Sequence, residues 1–298
     1  MIPETGTSRT SAVKAVFDEI ISERSPEVIV LLGGPGTVPA RAVGRVLAAE
    51  APRYAMLTRR DLAALQGEAS VDDADLLAEA IRHARETRLP AVIDDATIAA
   101  SPSSTLTEFK SAGYRTRVVL LAARDVEAEL ASVTERVRRR GLGVRASQER
   151  DWKSVMRAMR EVPEAAVDRM TVIDGDGTIV HDGSRGHHLA AAVDAARRAP
   201  LSGLQSIAWL GEIRRLSEYA NVNRNVLTRD EIAAIDALHD TAETVVLPAM
   251  PIRQDSVAAR TQRERLAASR RELARLMHPA QEMEAAVHSK AIPLGLSP

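Results

Sequence analysis

The run Val28-Ile29-Val30-Leu31-Leu32 constrains this chain more than any other stretch. Five consecutive apolar residues without alternation read as a strand buried on both faces, as in the middle of a parallel sheet. Gly33-Gly34-Pro35-Gly36 follows at once, and then a helix-like pattern over about 39–49. Strand, glycine-rich turn and helix are the layout of a phosphate-binding loop, where backbone N–H groups at a helix start face an anion. The pattern G-x-x-x-x-G-K-[ST] fits at Gly33 and then departs: Val38, Pro39 and Ala40 stand where Gly, Lys and Ser/Thr would.

The rest of the first half repeats the theme of strand and helix. Val13, Val16, Phe17, Ile20 and Ile21 predict an amphipathic helix over 11–22. Short strands are expected at 53–58, 90–93 and 116–122, with a helix or loop at 59–65 and helices at 70–88, 103–112, 125–140 and 147–159. Gly113 is placed to end the third of these helices. Two strands at 170–173 and 178–180 enclose Asp174-Gly175-Asp176-Gly177, a hairpin signal. This alternation predicts an α/β fold, a mostly parallel sheet flanked by helices. Ligands of such sheets bind beyond the C-terminal strand ends. Those ends carry Gly33–Gly36, Thr58–Asp61, Asp94–Thr97 and Ala123–Asp125.

Beyond Pro200 strand signals vanish, apart from 244–247. Helices are expected over 204–220 and 256–277, and Thr228-Arg229-Asp230-Glu231 reads as a capping box opening a helix to about 241. The expected organisation is a sheet domain over 1–185, a linker over 186–200 and a C-terminal helical extension over 201–298. Hydrophobic residues are 45% of the 298 but aromatic ones only 2%, so the core must be built from small aliphatic side chains. Scarce aromatics and a net charge of −1 argue against a nucleic-acid partner or an anionic membrane surface. With no Cys, thiolate chemistry and disulfides are excluded. No signal peptide or membrane-spanning run is visible, and the expected location is cytoplasmic.

From Phe17 to Gly183 the order of features resembles the zeta toxin family of P-loop kinases. Gly33-Gly34-Pro35-Gly36-Thr37-Val38-Pro39-Ala40 overlays that family's G-x-P-G-x-G-K-[ST] loop without a gap. The segment KSAGYRTRVVLLAA is very similar to its K-x-x-G-Y strand start, and Val92-Ile93-Asp94-Asp95-Ala96-Thr97 to its strand ending in acidic-G-T, with one residue extra. The D-x-[FL]-[RK] motif falls on Arg60-Asp61-Leu62-Ala63, so Arg60 holds the acidic position and Asp61 lies one residue away. Arg136, and Arg145 in Arg145-Ala146-Ser147, match two arginines that face phosphate in the family.

The resemblance implies a fold related to kinases that phosphorylate the 3′-hydroxyl of UDP-N-acetylglucosamine with ATP and Mg²⁺, and an antitoxin-like protein partner. Its matched positions assign cofactor binding to Gly33, Gly34, Gly36 and Thr37, substrate binding to Asp94, Asp95 and Thr97, and catalysis to Arg136 and Arg145; Arg41 beside the cofactor and Arg60 beside the substrate are the cations, and Asp61 the catalytic carboxylate, with Asp94 or Asp95, available to replace the missing groups. The loop Lys, the loop Ser/Thr and the acidic group are all substituted at their matched positions. The expected protein is therefore a catalytically degenerate kinase fold, or a pseudoenzyme acting as a regulatory binding module. A third reading takes Asp174 and Asp176 as the nucleophile and acid/base of a haloacid-dehalogenase-like phosphatase, against the simpler one of an Asp-Gly hairpin turn. An EF-hand is excluded because Arg185 stands at the twelfth position. His187-His188 has no third ligand at metal spacing.

Overall fold

The computed structural model describes residues 9–33, 54–66, 73–95, 98–99, 101–141, 152–183, 188–254 and 256–277. The expected helix at 39–49, together with Gly34, Gly36, Thr37, Arg41, Thr97 and Arg145, lies outside them. The chain divides into two compact units. The first holds residues 1–125 and 150–199, the second 126–149 and 200–298.

The first unit is built on a six-stranded sheet. Its strands are β1 (Glu27–Gly33), β2 (Ala55–Thr58), β3 (Ala91–Asp94), β4 (Arg115–Ala122), β5 (Arg169–Asp174) and β6 (Ile179–Gly183), in the order β2-β3-β1-β4-β5-β6. All neighbours are parallel except β5 and β6, which form the expected hairpin. Every residue of β1 is buried, because β3 and β4 flank it and both its faces are covered. Val28, Val30 and Leu32 join one core with Val118, Leu120 and Ala122 of β4. Ile29 and Leu31 join a second with Val119 and Leu121. Strand geometry sends successive side chains to opposite faces, so a run without alternation feeds two cores at once. The α/β fold with a mostly parallel sheet and flanking helices is as the sequence predicts.

Around the sheet stand α1 (Arg9–Ala15), α2 (Arg59–Gln66), α3 (Asp73–Thr87), α4 (Pro102–Ser111), the start of α5 (Asp125–Gly141), α6 (Trp152–Glu161) and α7 (His188–Arg198). Helix α1 is shorter than the 11–22 expected. The chain turns after Ala15, yet Phe17 is still buried in the core. Residues 188–198, expected as linker, form α7, which buries Leu189, Val193 and Ala196. The spacing of these three at four and three residues is the helical signal that the linker reading missed.

The segment Lys110–Tyr114 is a structural joint. Gly113 adopts φ +81°, a left-handed conformation that ends α4 at little steric cost. Tyr114 then enters the core edge-to-face with Phe109 and donates to Ala84 O at 2.5 Å. This satisfies a carbonyl in the last turn of α3. Burial pushes the phenol up to about 12. Lys110 pairs with Asp168, which also accepts from Thr116 N at 2.8 Å. Burial opposes the charge on Asp168, but these partners hold its carboxyl below the usual range.

The second unit is helical among the described residues: the rest of α5, α8 (Gly203–Val222), α9 (Arg229–Thr241) and α10 (Val257–Met277). The capping box at Thr228 and Glu231 is present. The apolar residues 244–247, a strand signal in sequence, instead belong to a π-helical turn, Ala242–Val246, and a short helical turn, Leu247–Ala249. Pro248 lacks the N–H that regular α-helical bonding would use, and Leu247 N donates five residues back to Ala242 O. Trp209 is buried and donates to Val126 O at 2.9 Å.

His239 is 0% exposed at the centre of this unit. Its Nε2 lies 3.0 Å from Ser217 Oγ, and Ser217 donates to Ile213 O. The ring therefore fits best with its proton on Nε2. Nδ1 is buried without a hydrogen-bond partner among the described residues. A second ring proton would bury an N–H that has no acceptor. Burial pushes the pKa down to about 4, and Arg270 adds to this against Asp236 and Asp240. The unfolded ring takes its proton near 6.5, so acid favours unfolding. This contribution to stability is intact above pH 6.5. It falls as pH drops towards 4, by on the order of 3 kcal/mol in all. Trp209 fluorescence in a Trp152→Phe background should report a melting temperature that declines across this window. The decline should be much shallower in His239→Gln.

Candidate functional site at the C-terminal strand ends

After Glu27 in β1, and after Arg115, Thr116 and Arg117 at the start of β4, the two central strands are apolar, so on their C-terminal side charge enters the sheet's middle where they end. At the end of β2 the chain passes directly into α2. Thr58 Oγ1 accepts from Asp61 N at 3.0 Å and donates to Asp61 Oδ2 at 2.8 Å. The carboxylate of Asp61 is thus engaged at the start of α2, in an exposed position. Arg60 occupies the same first turn.

Arg59 points to β3. Its Nε donates to Asp95 Oδ2 at 2.6 Å, and Nη2 reaches Asp95 Oδ1 at 3.4 Å. Asp95 is only 5% exposed, and its Oδ1 also accepts from Ile98 N at 3.1 Å. A buried carboxylate needs such partners to stay charged. Asp94, the last residue of β3, is half-buried and in register with Thr58. Asp61, Asp94 and Asp95 therefore share one corner of the strand-end surface.

On the other side of β1, the end of β4 presents Arg124, 4% exposed, which donates through Nη2 to Asp176. Asp176 lies in the hairpin turn between β5 and β6. Asp174 Oδ1 accepts from Asp176 N at 2.9 Å and from Thr178 N at 2.8 Å. Gly177 takes φ +80°, which the turn requires. Asp174 therefore closes a hairpin, and the turn it closes aims Asp176 at Arg124. Strands lie about 5 Å apart, so the two arginine–aspartate pairs stand one strand to either side of Gly33.

Among the sequence-predicted residues, Gly33 is buried at the end of β1, and Asp61, Asp94 and Asp95 gather as described. Arg136 is exposed on α5 in the second unit. Sequence reading missed Arg59 and Arg124 as site residues. The signal for Arg124 was present: a lone arginine directly after the apolar run Val118–Ala123. Among the described residues no three Asp, Glu or His side chains converge as metal ligands, and no helix is long and apolar enough to cross a membrane.

The zeta toxin family model matches residues 49–185. Among solved structures, the chain resembles one from the PezAT chromosomal toxin–antitoxin system of Streptococcus pneumoniae. That match has a TM-score of 0.55 and 14% identity, over 74% of this chain and 98% of that one. At this identity the likeness is one of fold. Two structures of the AvrRxo1-ORF1:AvrRxo1-ORF2 complex match at TM-scores of 0.36 and 0.39 and 11% identity. They cover 91% and 80% of this chain and 84% and 86% of theirs. Those scores are too low to add to the first. No curated protein sequence matches the chain.

The pair between Arg59 and Asp95 is partly buried on one side only, so its value lies between surface and interior pairs. A double-mutant cycle of Arg59→Gln and Asp95→Asn, read by thermal unfolding, should give a coupling of about 1–2 kcal/mol. Arg59→Gln should be the costlier single change, because it leaves a buried carboxylate without that cation.

Proposed function

We propose that this chain, a member of the zeta toxin family through residues 49–185, is a degenerate kinase fold. It binds a nucleotide or nucleotide sugar weakly at the C-terminal strand ends and transfers phosphate poorly or not at all. The observation that carries this reading is the substitution of the loop beyond β1. Pro39 has neither charge nor N–H where a lysine would neutralise phosphate, and Ala40 has no hydroxyl where Ser/Thr would hold Mg²⁺. The donor set there does not fit an ATP·Mg²⁺ group held in the usual way, so no phosphoryl-transfer step is assigned to these residues. The acidic residues nearby support the same reading. Asp95 is engaged by Arg59 and Ile98 N, and Asp61 by Thr58. Losing one preorganised electrostatic group costs on the order of 10²–10³ in rate, and here two loop groups and the matched acidic residue are absent.

A second reading gives the fold a regulatory role with a protein partner. Its support is the fold likeness to a structure from a toxin–antitoxin system. In this reading the chain is a pseudoenzyme, and its partner is an antitoxin-like protein.

Calorimetry with ATP·Mg²⁺ and with UDP-N-acetylglucosamine, alongside a radiolabel transfer assay, tests the first reading. The expected result is weak binding with little or no label transfer. Turnover at rates ordinary for a kinase, roughly 1–100 s⁻¹, would overturn the degeneracy, and silence with both ligands would overturn nucleotide binding. The triple change Val38→Gly, Pro39→Lys and Ala40→Ser should raise ATP affinity by about tenfold or more.

A further inference from the structure

We infer that a cavity in the second unit is a binding site for a free aliphatic amino acid, held as its zwitterion. The cavity measures about 330 Å³ and is lined by Glu243, Leu247, Pro248, Arg263, Leu266 and Ala267. All six belong to the second unit, so the site does not depend on the ligand proposed for the strand ends.

Three features converge. The first is the cavity's apolar body. Leu247 and Leu266 are 4% and 2% exposed, and with Pro248 and Ala267 they supply aliphatic walls beside the two charged ones. The volume stands at the small end of the roughly 300–1,000 Å³ of ligand pockets, which suits a ligand of few atoms.

The second is a surplus of acceptors at Glu243. Arg270 sets one positive charge against three carboxylates: Asp236 at 2.9 Å, Asp240 at 2.6 Å and Glu243 at 3.4 Å. Glu243 is the most distant of the three, so its carboxylate is the least neutralised. The backbone there is also short of donors. Leu247 N donates to Ala242 O in the π turn, and Pro248 has no N–H, so the carbonyls of Glu243 and Thr244 each lose their α-helical partner. Such π turns are frequent at functional sites. A carboxylate beside acceptor carbonyls suits an ammonium group, which carries donors alone.

The third is a cation without an acid. Arg263 donates through Nη1 to Gln254 O at 2.9 Å and through Nη2 to Gln254 Oε1. Both acceptors are neutral, and among the described residues no carboxylate pairs with it. Gln254 is itself anchored, its Nε2 donating to Leu247 O at 2.9 Å. The guanidinium is thus oriented by neutral partners, with its charge available to a carboxylate. An ammonium, a carboxylate and an aliphatic side chain on one small frame are the parts of an aliphatic α-amino acid. A divalent cation does not fit, since among the described residues no three acidic or His side chains converge as ligands.

Calorimetric titration of the full chain with leucine tests this. N-acetyl-leucinamide is the comparison, because it keeps the side chain and removes both charges. Leucine should bind with a Kd of about 1 mM or tighter, and N-acetyl-leucinamide should be about tenfold or more weaker. Arg263→Gln and the cavity-filling Ala267→Leu should each weaken leucine by about tenfold or more, and Glu243→Gln by a few-fold. Arg265→Gln, on α10 but outside the cavity, should bind like the unaltered protein. Thermal unfolding of each variant separates lost binding from lost folding. Absence of leucine binding by the unaltered chain overturns the inference. So does N-acetyl-leucinamide matching leucine, which would make the cavity a seat for any apolar side chain. Leucine affinity that survives both Arg263→Gln and Ala267→Leu would put the ligand elsewhere and overturn it too. None of these results touches the ligand proposed at the strand ends.

Discussion

The two-sided burial of β1 and β4 is the constraint on which the first unit depends. A strand covered on both faces tolerates polar side chains poorly along its length, because each would lose water without a partner. Its polar content gathers towards its ends: Glu27 opens β1, and Arg115, Thr116 and Arg117 open β4, the last two buried. At the C-terminal side this displacement puts Arg124 at the end of β4, while the neighbouring strand ends supply Arg59, Asp94, Asp95 and Asp176. The site is thus a by-product of how the core is filled, and the charge pairs are what make the strand ends affordable.

Those pairs are asymmetric. Arg59 is partly exposed and grips a buried carboxylate, whereas Arg124 is buried and held by a partly exposed one. On one side of β1 the interior charge is negative, on the other positive.

Much of this was legible in the sequence. The unbroken run Val28–Leu32 announced a central strand, Gly113 a helix end, Asp174–Gly177 a hairpin and Thr228–Glu231 a capping box, because each rests on local chemistry. Three features were harder for physical reasons. The helix 188–198 passes for linker because its apolar stripe is only three residues deep, although its alanines and its spacing favour a helix. Residues 244–247 look like a strand because Thr and Val favour one, until helical packing and Pro248 impose a π turn. The ion pairs join residues 36 and 52 positions apart, and no periodicity links such positions. Asp61 was visible as a carboxylate, but its hydrogen bonds with Thr58 were not.

The joint at Lys110–Tyr114 carries a consequence for how such chains are recognised. It carries the resemblance to the zeta toxin family's K-x-x-G-Y strand start, and every contact described for it serves assembly: a left-handed glycine, a phenol tied to a helix end, an ammonium on Asp168. None of it depends on what happens at the loop beyond β1. Folding alone is enough to preserve this signature, so a search keyed to it retrieves the scaffold with indifference to catalytic competence.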